Sequence, residues 1–138
     1  MLLLVGSNDA LLEGLAQALA RTGQRVRVVL SLTEADEIRR LESPIMVVAE
    51  RSLLAAGPAS QAFLHGALNF GGALVTYRES GETAASPVLA PGLERLVLAD
   101  LELPLERHRL VALAEHLATR ARAVGRSPSV TPPESPAS

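Results

Sequence analysis

A carboxylate stands directly after a short apolar run in the sequence. Residues 44–50 read PIMVVAE, so a proline begins the run and Glu50 closes it. Such a run is typical of a strand buried between two layers of helices, and open α/β proteins place their chemistry beside the carboxyl ends of these strands. Glu50 is therefore the first candidate for a chemical role. It is a working acid, the relic of one, or only the first solvated residue after a strand.

The other residues with catalytic or metal-binding side chains lack the spacing that such sites need. The chain has no cysteine, which excludes disulfides, thiol catalysis and thiolate metal ligands. His65, His108 and His116 have no ligand spacing to one another or to a carboxylate pair. We predict that the chain has no metal site and no cofactor.

Residues 2–26 consist of an apolar run, Gly6, a helical pattern and Gly23. This order also resembles the opening turn of short-chain dehydrogenases. A dinucleotide site there needs further glycines so that the backbone can approach the pyrophosphate. Residues 7–10 are Ser, Asn, Asp and Ala instead, and no Tyr-x-x-x-Lys occurs. A small nucleotide- or dinucleotide-binding protein that uses the crevice at the strand ends therefore stays the alternative function.

Strands and helices alternate along the chain, and this alternation predicts the scaffold that positions Glu50. Strands are predicted over Leu2–Val5, 25–30, 45–49, 73–77 and within 95–103, and helices over 7–23, 31–41, 59–70 and 105–124. Ser31 and Glu34 have the spacing of a capping box at the start of the second helix. The order predicts an α/β fold with a doubly wound, five-stranded parallel sheet.

Two segments oppose regular structure. Residues 78–94 contain Pro87, Pro91 and two glycines, so the fourth helix is expected to be short or absent. Residues 125–138 are rich in proline and serine and are expected to form a disordered linker or tail after a folded domain of residues 1–124. Such a linker is typical of the N-terminal module of a longer regulator.

Charge and hydropathy exclude several classes of partner. The net charge is −2 with acids and bases interspersed, which is not the pattern of a nucleic-acid-binding surface. No apolar run approaches the roughly 20 residues of a membrane span, and the opening MLLLV is too short for a signal peptide. We predict a cytoplasmic protein without membrane or direct nucleic-acid contacts.

Five β/α units in about 120 residues, with a hydrophobic-Pro step before the last helix, resemble the receiver domain of bacterial response regulators. The resemblance covers residues 1–124 and implies a flavodoxin-like fold. Receivers accept a phosphoryl group on an aspartate that ends strand three. They use Mg²⁺ held by an acidic pair after strand one, a Thr or Ser ending strand four, and a Lys before a cis-Pro after strand five.

The metal and acceptor positions of the family are altered in this chain. The acidic pair falls on Gly6 and Ser7, neither of which offers a carboxylate to Mg²⁺. The phosphoryl acceptor falls on Glu50. The resemblance therefore implies no Mg²⁺ binding at this edge and no phosphorylation.

The positions that sense and stabilise the phosphoryl group are altered as well. The hydroxyl falls on Thr76, but Tyr77 follows it and is expected to crowd the pocket. The lysine falls on Leu103, before Pro104, and the aromatic switch residue falls on Asp100. Phosphoryl transfer depends on cations that stabilise the spreading charge, so this pattern implies a pseudo-receiver. The Leu103–Pro104 peptide is expected to be cis, as the Lys-Pro step of the family is.

Two interpretations of Glu50 follow from the resemblance. As a built-in phosphoryl mimic it would accept a hydrogen bond from Thr76 and keep the domain permanently active. As a solvated carboxylate it would pair with Arg51 or Arg78 instead.

In receivers the signal passes through the face formed here by residues 78–94, the fifth strand and the final helix. We expect Val88, Leu89 and Leu93 to be exposed there, with Arg107 and Arg109 beside them. The predicted function is a phosphorylation-independent, non-enzymatic module of a bacterial signalling or transcription regulator. Its partner would be another protein or a downstream effector domain, with a homodimer as one form of such contact.

Overall fold

A computed structural model of the chain describes residues 1–55, 72–81, 89 and 91–130, with the backbone alone for residue 93 and residues 124–130. The predicted third helix over 59–70 lies outside these residues. The five strands are β1 (Leu2–Val5), β2 (Val26–Val29), β3 (Met46–Glu50), β4 (Ala73–Glu79) and β5 (Val97–Leu103). They form one parallel sheet in the order β2-β1-β3-β4-β5. This confirms the predicted doubly wound α/β fold.

Two of the helices in the described residues begin where their capping residues predict. The helices are α1 (Asp9–Leu19), α2 (Leu32–Leu41), α3 (Arg51–Leu54), α4 (Pro91–Leu96) and α5 (Arg107–Val130), with a 3-10 turn over Ala20–Thr22 after α1. The Asn8 side chain caps α1 by accepting from the Leu11 N–H at 3.1 Å. The Ser31 hydroxyl caps α2 by accepting from the Glu34 N–H at 3.2 Å. Glu34 itself accepts from the Leu30 N–H rather than from that of Ser31, so the capping box is displaced by one residue.

Each face of the sheet is covered by its own apolar layer. On the first face, Leu12, Leu15 and Leu19 of α1 and Leu110 and Ala114 of α5 pack against the sheet. On the second face, α2 and α3 pack against β1 and β3 through the alternate strand residues. Successive residues of a strand point to opposite faces, so the two layers are separated by residue parity alone. This parity also decides which polar groups can meet at the strand ends.

Some boundaries differ from the prediction. α3 begins at Arg51, where a loop was expected, and β4 runs two residues beyond Tyr77. α5 continues to Val130, past the boundary predicted at residue 124, so a part of the expected linker is helical. α4 has six residues and starts at Pro91, a position that suits proline because the first N–H of a helix has no partner within it. The fourth helix is thus short, as predicted.

Candidate functional site

The strand ends bring most of the predicted site residues to one edge of the sheet. Val5, Ala49, Thr76 and Asp100 lie in one row across β1, β3, β4 and β5. Glu50 follows Ala49 and is paired in register with Tyr77. We call this the carboxyl edge. The sequence positions assigned to receiver chemistry therefore do converge in space, and their contacts decide what they can do.

The carboxylate of Glu50 is held by serine groups on both sides. Its Oε1 accepts from the Ser7 N–H at 2.8 Å and from the Ser7 hydroxyl at 2.7 Å. Its Oε2 accepts from the Ser52 hydroxyl at 2.9 Å. The carboxylate thus bridges the loop after β1 to the start of α3, and these donors occupy both of its oxygens.

These donors decide the protonation state of Glu50. Partial burial acts to raise the pKa of Glu50, but the hydrogen bonds from the Ser7 N–H, the Ser7 hydroxyl and the Ser52 hydroxyl outweigh it. The pKa therefore lies below its ordinary value of 4.5. Glu50 is a charged hydrogen-bond acceptor at neutral pH.

Arg51, next to Glu50 in the chain, lies at the centre of a second network. One guanidinium nitrogen donates to the Thr76 hydroxyl at 3.2 Å and lies 3.5 Å from Asp100 Oδ1. The other donates to Glu94 Oε2 at 2.6 Å. The Thr76 hydroxyl in turn donates to Asp100 Oδ1 at 2.7 Å. With only 11 % of its side chain exposed, Arg51 ties β4, β5 and α4 together in a largely buried contact.

Both predicted sets of partners for Glu50 are wrong. Thr76 donates to Asp100 and not to Glu50, because Glu50 and Tyr77 share the first face of the sheet while Thr76 points to the second. Arg78 donates to Glu102, its register partner on β5, at 2.7 Å. Arg51 extends toward Thr76 and Glu94. The period-two alternation of β3 and β4 was the sequence signal that could have placed Glu50 and Thr76 on opposite faces.

Tyr77 fills the space beneath the loop after β1. Its ring is fully buried in the first apolar layer, and its hydroxyl has no hydrogen-bond partner within the described part of the chain. Burial raises the pKa of Tyr77 well above its ordinary value, and the charges of Glu50 and Glu79 raise it further. A Cβ on Gly6 would overlap the Tyr77 hydroxyl. The predicted crowding is therefore present, and only glycine fits at position 6 while Tyr77 holds this place.

The position assigned to the lysine, at the end of β5, carries no charge. Leu103 is fully buried in the first apolar layer. No lysine occurs anywhere in the sequence, so all 13 basic residues are arginines. The Leu103–Pro104 peptide is cis, as predicted.

The residues of this edge do not fit a divalent cation. Gly6 has no side chain, and the Ser7 hydroxyl is committed to Glu50, which is itself occupied. Hard cations such as Mg²⁺ require several oxygen ligands, usually including carboxylates that are free to coordinate. Within the described ranges, no group of three or more histidine, aspartate and glutamate side chains is placed to bind a metal.

The predicted interaction face needs one correction. Leu89 is only 3 % exposed and packs in the second apolar layer, while its N–H donates to Glu94, so its predicted exposure is wrong. Although α4 is short, Leu89 is not exposed to solvent, because its side chain packs against the sheet and its N–H is bonded to Glu94. Val88 and the side chain of Leu93 lie outside the described residues.

Other apolar groups, which the sequence reasoning missed, are exposed on β5 and in the turn that leads to Arg107 and Arg109. Leu98 on β5 is 55 % exposed, and Leu105 in the turn before α5 is 69 % exposed. Arg107 and Arg109 are both exposed, and Arg109 pairs with Glu106 at 2.5 Å. We call Leu105, Arg107 and Arg109 the β5–α5 surface. The alternation of Leu98 with Asp100 along β5 was the signal that could have marked Leu98 as exposed.

Comparison with known proteins agrees with this architecture. No family model and no curated protein matches the chain. A response regulator receiver domain from Clostridium thermocellum is 14% identical with a TM-score of 0.64, and the match covers 89% of this chain and 97% of that one. The receiver domain of NtrX from Brucella abortus is 20% identical with a TM-score of 0.64, over 86% of this chain and 98% of that one.

At these identities the likeness establishes the fold: the chain has the fold of response-regulator receiver domains. In a longer NtrX structure from the same organism, the match covers 94% of this chain and 29% of that one, at 19% identity and a TM-score of 0.65. The chain thus corresponds to less than a third of that protein. No helix of the described residues is long and apolar enough to span a membrane.

Proposed function

We propose that this domain is a regulatory protein–protein interaction module that acts without phosphorylation. It is a pseudo-receiver whose switch residues are held in one arrangement by its own side chains. The observation that carries the proposal is the commitment of Glu50, at the acceptor position, to three donors from Ser7 and Ser52. An acceptor must present a free oxygen in line with the phosphoryl group, beside cations that stabilise the transferring charge.

The Arg51 network supports the same function from the other side of the sheet. In receivers, the hydroxyl and the aromatic switch positions respond to the phosphoryl group. Here those positions are Thr76 and Asp100, which are bonded to each other and held by Arg51. Arg51 also binds Glu94 of α4, so the arrangement of α4 and β5 is set by an internal cation rather than by a covalent modification.

The alternative function, a nucleotide-binding protein that uses the crevice at the strand ends, has less support. Tyr77 fills the space beneath Gly6, and the carboxylates of Glu50, Glu79 and Asp100 lie around the strand ends. Phosphate groups and carboxylates repel each other at close range. The edge therefore suits an internally bonded structure better than a phosphate site.

We infer that the partner binds the β5–α5 surface, where apolar and basic side chains are exposed together. The partner is a second copy of this domain, another protein or an effector domain of the same bacterial regulator. Residues 131–138, with three of the nine prolines, would serve as a linker between this domain and such an effector domain. The protein would act in the cytoplasm, without Mg²⁺ or another cofactor.

The test of phosphorylation independence is incubation with acetyl phosphate and millimolar Mg²⁺, followed by intact mass spectrometry. We expect no mass increase, while a receiver with an intact acidic pocket, treated in parallel, gains one phosphoryl group. A phosphoryl group mapped to Glu50 would refute the proposal.

The test of the interaction surface is sedimentation and pull-down with Leu105→Asp and Arg109→Glu variants. We expect both to weaken self-association or partner binding, whereas Ser7→Ala at the carboxyl edge retains it. The opposite pattern would show that the strand ends, and not the β5–α5 surface, contact the partner.

A further inference from the structure

A groove runs between α1 and α5 on the first face of the molecule. Its volume is about 420 Å³, within the range of small-molecule sites. Its lining includes small or apolar residues: Gly14 and Ala18 of α1 and Val111 and Ala112 of α5. The other lining residues are polar: Gln17, Arg21, Arg107, His108 and Glu115.

The two arginines of the groove have no carboxylate partner among the described residues. Arg21 on the turn after α1 and Arg107 at the start of α5 form no ion pair there, although both line the same groove. Most other arginines of the described ranges do form ion pairs: Arg25, Arg27, Arg39, Arg40, Arg51, Arg78 and Arg109. Glu115 is the one acid of the lining, so the groove has an excess of positive charge. Guanidinium groups bind carboxylates and phosphates with paired hydrogen bonds.

Gly14 provides a second, independent observation. It lies inside α1, where glycine destabilises a helix relative to alanine. Neither backbone conformation nor crowding requires it, because its φ is not in the left-handed region and a Cβ would meet no atom within 4 Å. Glycine at this position keeps the α1 wall of the groove open, which favours close approach of a ligand to the helix backbone.

We propose that this groove binds a small organic anion, a di- or tricarboxylate or a phosphate ester, held between Arg21 and Arg107. The small and apolar lining residues contact the body of the ligand, and His108 and Gln17 offer further hydrogen bonds. A hydroxyl of the ligand can donate to Glu115, the one acid of the lining.

Such a ligand would connect α1 to α5 directly. Since α5 also carries Arg107 and Arg109 of the β5–α5 surface, occupancy of the groove would bias that surface. This consequence rests on the proposed function, whereas the binding itself does not.

The test is a titration of the ¹⁵N-labelled protein with citrate and with glycerol 3-phosphate, followed by NMR, with triethyl citrate as the uncharged match for citrate. We expect saturable shifts at residues of the groove with at least one of the two anions and none with triethyl citrate. A response to citrate alone identifies a carboxylate ligand, and a response to glycerol 3-phosphate alone identifies a phosphate-ester ligand. Absence of saturable shifts with both anions overturns the proposal, even if an acidic peptide binds there.

Arginine variants distinguish anion binding in the groove from a general effect of positive charge. Arg21→Gln and Arg107→Gln should each weaken binding roughly tenfold or more, as expected for loss of a charged hydrogen-bond pair. Arg120→Gln makes the same change of charge on an exposed part of α5 outside the groove and should leave affinity within about twofold. Equal losses in all three variants overturn the proposal. Arg21→Gln should also leave self-association through the β5–α5 surface intact, which separates failure of the groove from failure of the proposed function.

Gly14→Leu tests the shape of the groove without a change of charge. We expect a higher melting temperature, because leucine favours the helix, together with weaker anion binding, because its side chain occupies the groove. A stabilised variant with unchanged affinity would overturn the assignment of Gly14 to the ligand wall.

Discussion

Within the described part of the chain, the polar groups of the carboxyl edge are paired with one another, whereas the arginines of the groove between α1 and α5 are not. At the edge, Glu50 is bonded to serines, Thr76 to Asp100 and Arg51, and Arg78 to Glu102. In the groove, Arg21 and Arg107 have no ion-pair partner among the described residues. Groups that are satisfied by one another stabilise a single arrangement, whereas unpaired charges favour an external ligand. Under the proposed function, the carboxyl edge is structural and the partner binds elsewhere.

Replacement of Arg51 should destabilise the carboxyl edge most severely. Arg51→Met removes the cation shared by Glu94 and Asp100 and leaves those acids without it. We expect a loss of about 2–3 kcal/mol in the free energy of unfolding by urea, less than for a wholly buried pair because both acids are partly exposed. Arg95→Met on the exposed side of α4 is the matched control and should cost under about 0.5 kcal/mol. Equal effects would show that the Arg51 network does not hold the edge together.

The fit between Gly6 and Tyr77 should give the next largest effect. Gly6→Ala should lower the free energy of unfolding by about 1–3 kcal/mol, because the added methyl overlaps the Tyr77 hydroxyl. Tyr77→Phe alone should be neutral or stabilising, since that hydroxyl is buried without a partner among the described residues.

The double variant sharpens the same comparison. If the overlap is the cause, Gly6→Ala with Tyr77→Phe should recover most of the lost stability, so the two changes are strongly non-additive in a double-mutant cycle. Additive effects would place the cost of Gly6→Ala in the backbone of the loop instead.

The charge of Glu50 should give a smaller, pH-dependent effect. Because the folded-state pKa of Glu50 lies below 4.5, its contribution is complete above that pH and is lost as the pH falls through the folded-state value. Glu50→Gln should therefore cost stability, on the order of 1 kcal/mol, at pH 7 and progressively less in acid. Urea unfolding of both proteins between pH 7 and pH 3 measures this difference. A constant difference would mean that the carboxylate charge is not what Ser7 and Ser52 stabilise.

Local patterns in the sequence were enough to predict the scaffold. The apolar runs of 2–5 and 45–49 became buried parallel strands, Asn8 and Ser31 became helix caps, and prolines kept α4 short. Each of these features depends on residues close together in the chain. The same holds for the prediction that receiver chemistry is absent, since a missing carboxylate or lysine is visible without coordinates.

Only the tertiary structure decided what the polar residues of the carboxyl edge bind. Glu50 and Arg51 are neighbours in the chain, yet one reaches Ser7 near β1 and the other reaches Thr76 and Glu94 near β4 and α4. Their directions are set where β3 ends and α3 begins, and these partners lie on other strands and helices, far away along the chain. Contacts over such distances depend on strand order and register, which the residue types alone do not determine.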